Sequence, residues 1–199
     1  MNVCSQMPRP PSVTNAALLR AAAQVIGRRG PVEFTIREVA DQAGLSAAAV
    51  MQRFRTKRGL LLALLEHAVA GVEARFKHAL TVEASPLRAL RRALREDAAE
   101  LGHPTEAANH LTFLAMELRD EELRRHTQEH FAATERLLRQ LLKDARARGE
   151  VPEDTDVARL ARSVHAAYHG TLLLWTVERK GRPEDAVAAA VDALLPGAA

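Results

Sequence analysis

The 199-residue chain has a single cysteine, Cys4. A lone thiol cannot close an internal disulfide or share a cysteine metal site, which fits a reducing, cytoplasmic compartment. Aromatic residues make up only 4% of the chain. No apolar run approaches the roughly 18 residues of a membrane span, so no membrane partner is expected. The opening "MNVCSQMPRPPSV" lacks the apolar stretch of a signal peptide. It is expected to be a disordered arm over residues 1–13. There is no run of period two that would mark a strand, no internal repeat and no glycine-rich phosphate loop. G-x-S-x-G and paired cysteines are also missing, which argues against acyl transfer and thiol redox chemistry. A helical di-iron enzyme needs Glu-x-x-His on two helices. Only "ELGH", Glu100 to His103, fits, and Gly102 and Pro104 interrupt its helix. No catalytic residue, metal or cofactor is therefore expected.

Helix-forming sequence remains. The chain is 47% apolar and 27% charged, rich in Ala and Leu, with few β-branched residues after residue 40. Cap and stop signals predict about nine helices in an all-α fold. The first runs from a Thr14 cap to Gly30-Pro31. Two short helices follow, capped by Thr35 and Ser46. A long apolar helix begins after Thr56. Later helices are expected over 86–101, 105–118, 121–147, 154–179 and 184–195. The net charge of +3 is uneven: residues 1–70 hold nine Arg/Lys against four Asp/Glu. That excess suits a polyanionic partner for the N-terminal end.

"FTIREVADQAGLSAAAVMQRF" has the design of a helix-turn-helix. Thr35 and Glu38 have capping-box spacing. Gly44 permits the turn, and Ser46 starts a second helix with Val50 and Phe54 on its inner side. Such a second helix can lie in the major groove while amides and cations at helix N-termini hold phosphates. Thr35, Ser46 and Lys57 mark three such termini. Gln52 can pair with adenine, and Arg37 and Arg53 with guanine or phosphate.

Residues 14–64, through "TIREVA", "AGLS", "AAAVMQRF" and "TKRGLL", resemble the DNA-binding head of the TetR (tetracycline-repressor) family. The segment "RGEVPEDTDVARLARSVHAAYHGTLLLW" resembles the family's later turn and dimer helix. The resemblance implies a ligand-responsive transcriptional regulator, a repressor acting as a homodimer on an inverted-repeat, double-stranded operator. Residues 14–64 would be the DNA-binding domain and 65–199 the effector-binding and dimerisation domain. The implied DNA-contacting positions are Thr35, Arg37, Ser46, Ala47, Ala48, Met51, Gln52, Arg53 and Lys57. The family usually has Tyr where this chain has Met51, and Lys, Gly or Thr where it has Ala47 and Ala48. The usual hydroxyl and amine contacts are thus missing. A helical adaptor that has lost DNA binding is the alternative.

The body holds six of the eight histidines. His126 and His130, four apart in "DEELRRHTQEHF", have a metal-binding spacing, but their charged helix favours a solvated surface. His110, Phe113 and Met116 on one helix, with His165, Tyr168, His169 and Trp175 on another, place polar tips among apolar residues. They are the candidate pocket for a small, largely apolar effector. Leu160, Val164, Ala167, Thr171 and Leu174 form a stripe on the 154–179 helix. With the small residues of 184–195 it is expected to form the dimer interface.

Overall fold

The computed structural model describes residues 13–195, so Cys4 and all of the expected arm except residue 13 lie outside the described residues. Among the described residues there are nine helices and no strand. They are α1 (Asn15–Arg29), α2 (Ile36–Ala43), α3 (Ala47–Phe54), α4 (Lys57–Val82), α5 (Pro86–Ala99), α6 (Pro104–Glu117), α7 (Glu121–Ala147), α8 (Val157–Glu178) and α9 (Pro183–Asp192). No helix is long and apolar enough to cross a membrane among these residues.

Local side chains set most of the helix starts. The Thr14, Ser46 and Thr56 hydroxyls accept from Ala17, Ala49 and Gly59 amides at 3.2, 3.1 and 2.8 Å. Thr35 and Glu38 form the reciprocal capping box, with Thr35 N–H donating to Glu38 at 2.9 Å and Glu38 N–H to Thr35 Oγ1 at 3.2 Å. The carboxylate of Asp156 accepts from Ala158 and Arg159 amides, so α8 begins three residues later than its apolar pattern suggests. Each such cap is worth about 1 kcal/mol.

Two apolar cores result. The first joins Leu18, Val25, Phe34, Val39, Val50 and Leu60, and is completed by Phe113 of α6 and Leu123 of α7. The second joins Phe76, Leu90, Leu94, Leu138, Leu142, Val164 and Val191. Helix α4 belongs to both. Leu60, Leu61 and Leu65 enter the first core, and Val72, Phe76 and Ala79 the second. One continuous helix therefore carries displacement from one core to the other.

The expected stripe on α8 needs a correction. Val164 is fully buried inside the second core, so it is unavailable to a second subunit. The large apolar residues facing outward are instead Leu173, Leu174 and Val177, exposed to 50%, 61% and 73%. The exposed strip continues toward the N-terminus of α8 through Gly170, Ala166 and Ser163. Leu194, just past α9, is also exposed.

Candidate nucleic-acid interface and histidine cluster

Gly44 ends α2 in the left-handed region at φ +66°, and α3 starts three residues later. Val39, Ala40 and Val50 pack inward, which fixes the two helices on α1. The other faces of α2 and α3 look outward. Thr35, Arg37, Ser46, Ala47, Ala48, Met51, Gln52 and Arg53 are all exposed. The middle of α3 therefore presents methyl groups and a thioether, with 40% of Met51 open to solvent.

Two of the expected cations have partners inside the chain. The Arg53 guanidinium donates to the Val13 carbonyl at 2.7 Å and to Asn15 Oδ1 at 3.3 Å, tying the end of α3 to the start of α1. Lys57 Nζ donates to the Val32 carbonyl at 2.7 Å and lies 4.1 Å from the centre of the Phe34 ring. Both brace the head. Arg37 and Gln52 have no hydrogen bond to the described residues and remain available to a partner. Close approach at the α3–α4 turn depends on Gly59: a Cβ there would lie 2.2 Å from the Phe54 carbonyl oxygen.

The body residues separate into three places. His110, His165, Tyr168 and His169 gather with His130 and Phe131 around the junction of α6, α7 and α8. The Nε2 atoms of His165 and His169 are 3.1 Å apart. Phe131 stacks on His169 at 4.7 Å and meets His165 edge-on at 5.1 Å. Tyr168 donates to Asp97, which also pairs with Arg75 at 2.6 Å. Arg75 bonds Glu100 at 2.8 Å. Burial pushes the pKa of His110, His130 and His165 below the usual histidine range. It takes His169 to about 4, aided by neighbouring His165 and His110. Burial, followed by the Asp97 charge, raises the Tyr168 phenol well above its usual value. His110 has a large accessible area, yet enough protein surrounds it to disfavour its charged form. That combination marks a side chain at a recess rather than on an open face.

Phe113 and Met116 do not join this group. Phe113 is buried in the head core. Met116 lines a crevice of about 540 Å³ between head and body, with Pro31, Val32, Leu61 and Leu123. Trp175 is buried at the α8–α9 turn, where its indole N–H donates to the Gly181 carbonyl at 3.1 Å. One turn of α6 carries residues for both regions, and a sequence pattern cannot say which neighbour each one meets.

His126 needs a second correction. It is buried rather than solvated, with Nδ1 3.3 Å from Glu129 and Nε2 3.9 Å from Glu66. His130 is the cluster residue that sequence reasoning set aside. Its charged segment masked an inward-facing ring. Among the described residues no group of three or more His, Cys, Asp or Glu is placed to hold a metal. Glu100 and His103 have structural roles, Glu100 pairing with Arg75 and the His103 ring accepting from the Thr105 amide.

Sequence reasoning also missed two links between head and body. Asn109 Nδ2 donates to the Gly27 carbonyl at 2.7 Å, joining α6 to α1. Arg58, in the first turn of α4, donates to Asp120 at 2.9 Å and to Glu122 at 2.5 Å, reaching the start of α7. Both partners are distant in sequence, so no local signal marks them.

Comparison with known proteins agrees with this architecture. The family model for bacterial regulatory proteins of the tetR family matches residues 18–64. The tetracyclin repressor-like C-terminal domain model matches residues 110–191. No curated protein matches the sequence. Among solved structures, the chain is similar to the regulator FadR from Bacillus subtilis in complex with stearoyl-CoA. Identity is 19% and the TM-score 0.69, covering 94% of this chain and 100% of that one. It is also similar to SmeT, the repressor of the Stenotrophomonas maltophilia efflux pump SmeDEF, at 23% identity and TM-score 0.64, covering 91% and 88%. PfmR from Thermus thermophilus matches at 25% identity and TM-score 0.64, covering 92% and 98%. A head with an exposed second helix, a long helix shared by two cores and two matching family models lead to one conclusion: this chain belongs to the TetR family of transcriptional regulators, which bind DNA through a helix-turn-helix.

Proposed function

We propose that the chain is a homodimeric repressor that binds an inverted-repeat operator and leaves it when a small, largely apolar molecule enters the histidine cluster. One observation carries the switch: neighbouring residues on α6 face the two ends of the mechanism. Asn109 holds α1 of the head, and His110 borders the cluster. A ligand that displaces α6 at His110 pulls on α1 at Gly27. The ligand must favour one arrangement, because equal affinity for both shifts nothing.

On DNA, α3 enters the major groove. Arg37 and Gln52 supply the free polar contacts, and the amides behind Thr35 and Ser46 face phosphates. Ala47, Ala48 and Met51 let the helix backbone approach thymine methyls closely. Arg53 and Lys57 hold the head in shape through Val13 and Val32. Leu173, Leu174 and Val177, with Leu194, form the two-fold contact that sets the spacing of two heads at about one DNA turn, ~34–36 Å. Two relatives illustrate the parts of this reading: FadR is seen with stearoyl-CoA, and SmeT is a repressor.

The test is selection of bound duplexes from random DNA by the full chain, followed by release with a panel of small apolar compounds. An inverted repeat, lost on adding one compound, is the expected result. Failure to retain any duplex favours a helical adaptor, a role consistent with the bare surface of α3. Retention that no compound reverses favours a regulator controlled by its own concentration.

A further inference from the structure

Arg55 caps the C-terminus of α3 with φ +65° and ψ −43°, a backbone region that side chains other than glycine rarely adopt. The position is fixed from both sides. Its N–H closes the last turn of α3 on the Met51 carbonyl at 2.8 Å, and the Thr56 N–H bonds the Phe54 carbonyl at 2.7 Å. The Phe54 carbonyl in turn sits where any side chain at Gly59 would collide. The chain must therefore bend left-handed at residue 55, where glycine fits without strain and arginine does not.

Nothing within the described chain repays that strain. Arg55 is exposed and has no hydrogen bond or ion pair with a described residue. The neighbouring cations differ: Arg53 is held by Val13, Lys57 by Val32 and Arg58 by Asp120 and Glu122. Arg55 is thus the unpaired cation at the α3–α4 turn. A reading helix meets base edges mainly through its N-terminal residues, so its C-terminal end faces the sugar-phosphate wall of the groove. A guanidinium there can take two phosphate oxygens at once.

We infer that Arg55 is a DNA-backbone contact of this chain, holding a phosphate beside the groove that α3 enters. This rests on the proposed DNA-reading role of α3. The missing phosphate grip of the usual Tyr at Met51 is then compensated at the other end of the same helix.

Arg55→Gly and Arg55→Lys test it in the full chain, on a duplex selected by the parent. Arg55→Gly is expected to melt no lower than the parent, because glycine relieves the strained φ. It should bind the duplex about tenfold more weakly, with a salt slope shallower by about one unit. The loss should be equal across operator variants, as for a phosphate contact. Arg55→Lys should recover part of the affinity and the slope. Parent-like affinity and slope in Arg55→Gly would overturn the inference. So would a lowered melting temperature with parallel DNA loss, which would make Arg55 a structural residue. A parent that retains no duplex overturns the DNA-reading role itself, and this contact with it.

Discussion

Asn109 on α6 and Gly27 on α1 are joined by one hydrogen bond of 2.7 Å, across 82 residues of sequence. The Asn109 side chain also lies against Gly30, where a Cβ would come within 3.0 Å of its Oδ1. Asn109→Ala should lower stability by about 1 kcal/mol in denaturant unfolding. It should also increase hydrogen exchange at the end of α1. Unchanged exchange there would show that α6 does not hold the head through this bond.

The corrected α8 surface gives a pair of contrasting variants. Leu174→Glu places a charge on the exposed apolar strip and should yield folded monomers in sedimentation. Val164→Glu places a charge in a fully buried site and should unfold the chain instead, a loss of several kcal/mol. A dimeric Leu174→Glu, or a parent that is monomeric at micromolar concentration, would rule out this dimer face.

The histidine cluster makes the body sensitive to acid. For His169 the folded pKa, about 4, is below the ordinary value of 6.5, so the unfolded chain binds the proton more readily. Stability is therefore full above about pH 6.5 and falls as the pH drops toward 4. The loss is at most about 1.4 kcal/mol per pH unit for one such histidine. His110, His130 and His165 shift in the same direction. Asp97 opposes the shift at His110, His130 and His169, and Glu135 opposes it at His165. His169→Gln should reduce the fall in melting temperature between pH 7 and pH 5. An unchanged fall would mean that the ring is solvated in the folded chain.

Glu117 gives the opposite sign. It is 5% exposed at the end of α6, and burial raises its pKa, with the Thr127 hydroxyl partly opposing at 2.7 Å. An acid with a raised folded pKa costs stability once the pH exceeds its unfolded value. Glu117→Gln keeps an acceptor for Thr127 and removes the charge. It should raise the melting temperature at pH 7 by about 2–4 °C, the equivalent of ~1 kcal/mol in a chain of this size. A lower melting temperature would reveal an unseen cationic partner.

The caps show how much of the fold lies in local sequence. Thr14, Thr35, Ser46 and Thr56 act on amides three residues away, so nearest-neighbour chemistry determines where α1 to α4 begin. The same holds for Gly44 and the turn that presents α3. These features were enough to predict an all-α chain with a helix-turn-helix at its head.

The placement of side chains between helices needed the tertiary structure. A helical stripe shows that Val164 and Leu174 lie near one face of α8. It does not show that α5, α7 and α9 close over the first and leave the second open. Phe113 and Met116 have the same spacing whether they face a ligand or the head, and only the position of α1 against α6 decided for the head. His130 sits in a charged run, yet the turn of α7 directs it toward His165 and His169. Arg53 and Lys57 look like DNA contacts in sequence, but carbonyls at Val13 and Val32 hold them. Periodicity and capping are set by residues within one turn of each other. Long-range partners depend on how whole helices pack, a sum over many weak contacts that no single segment encodes.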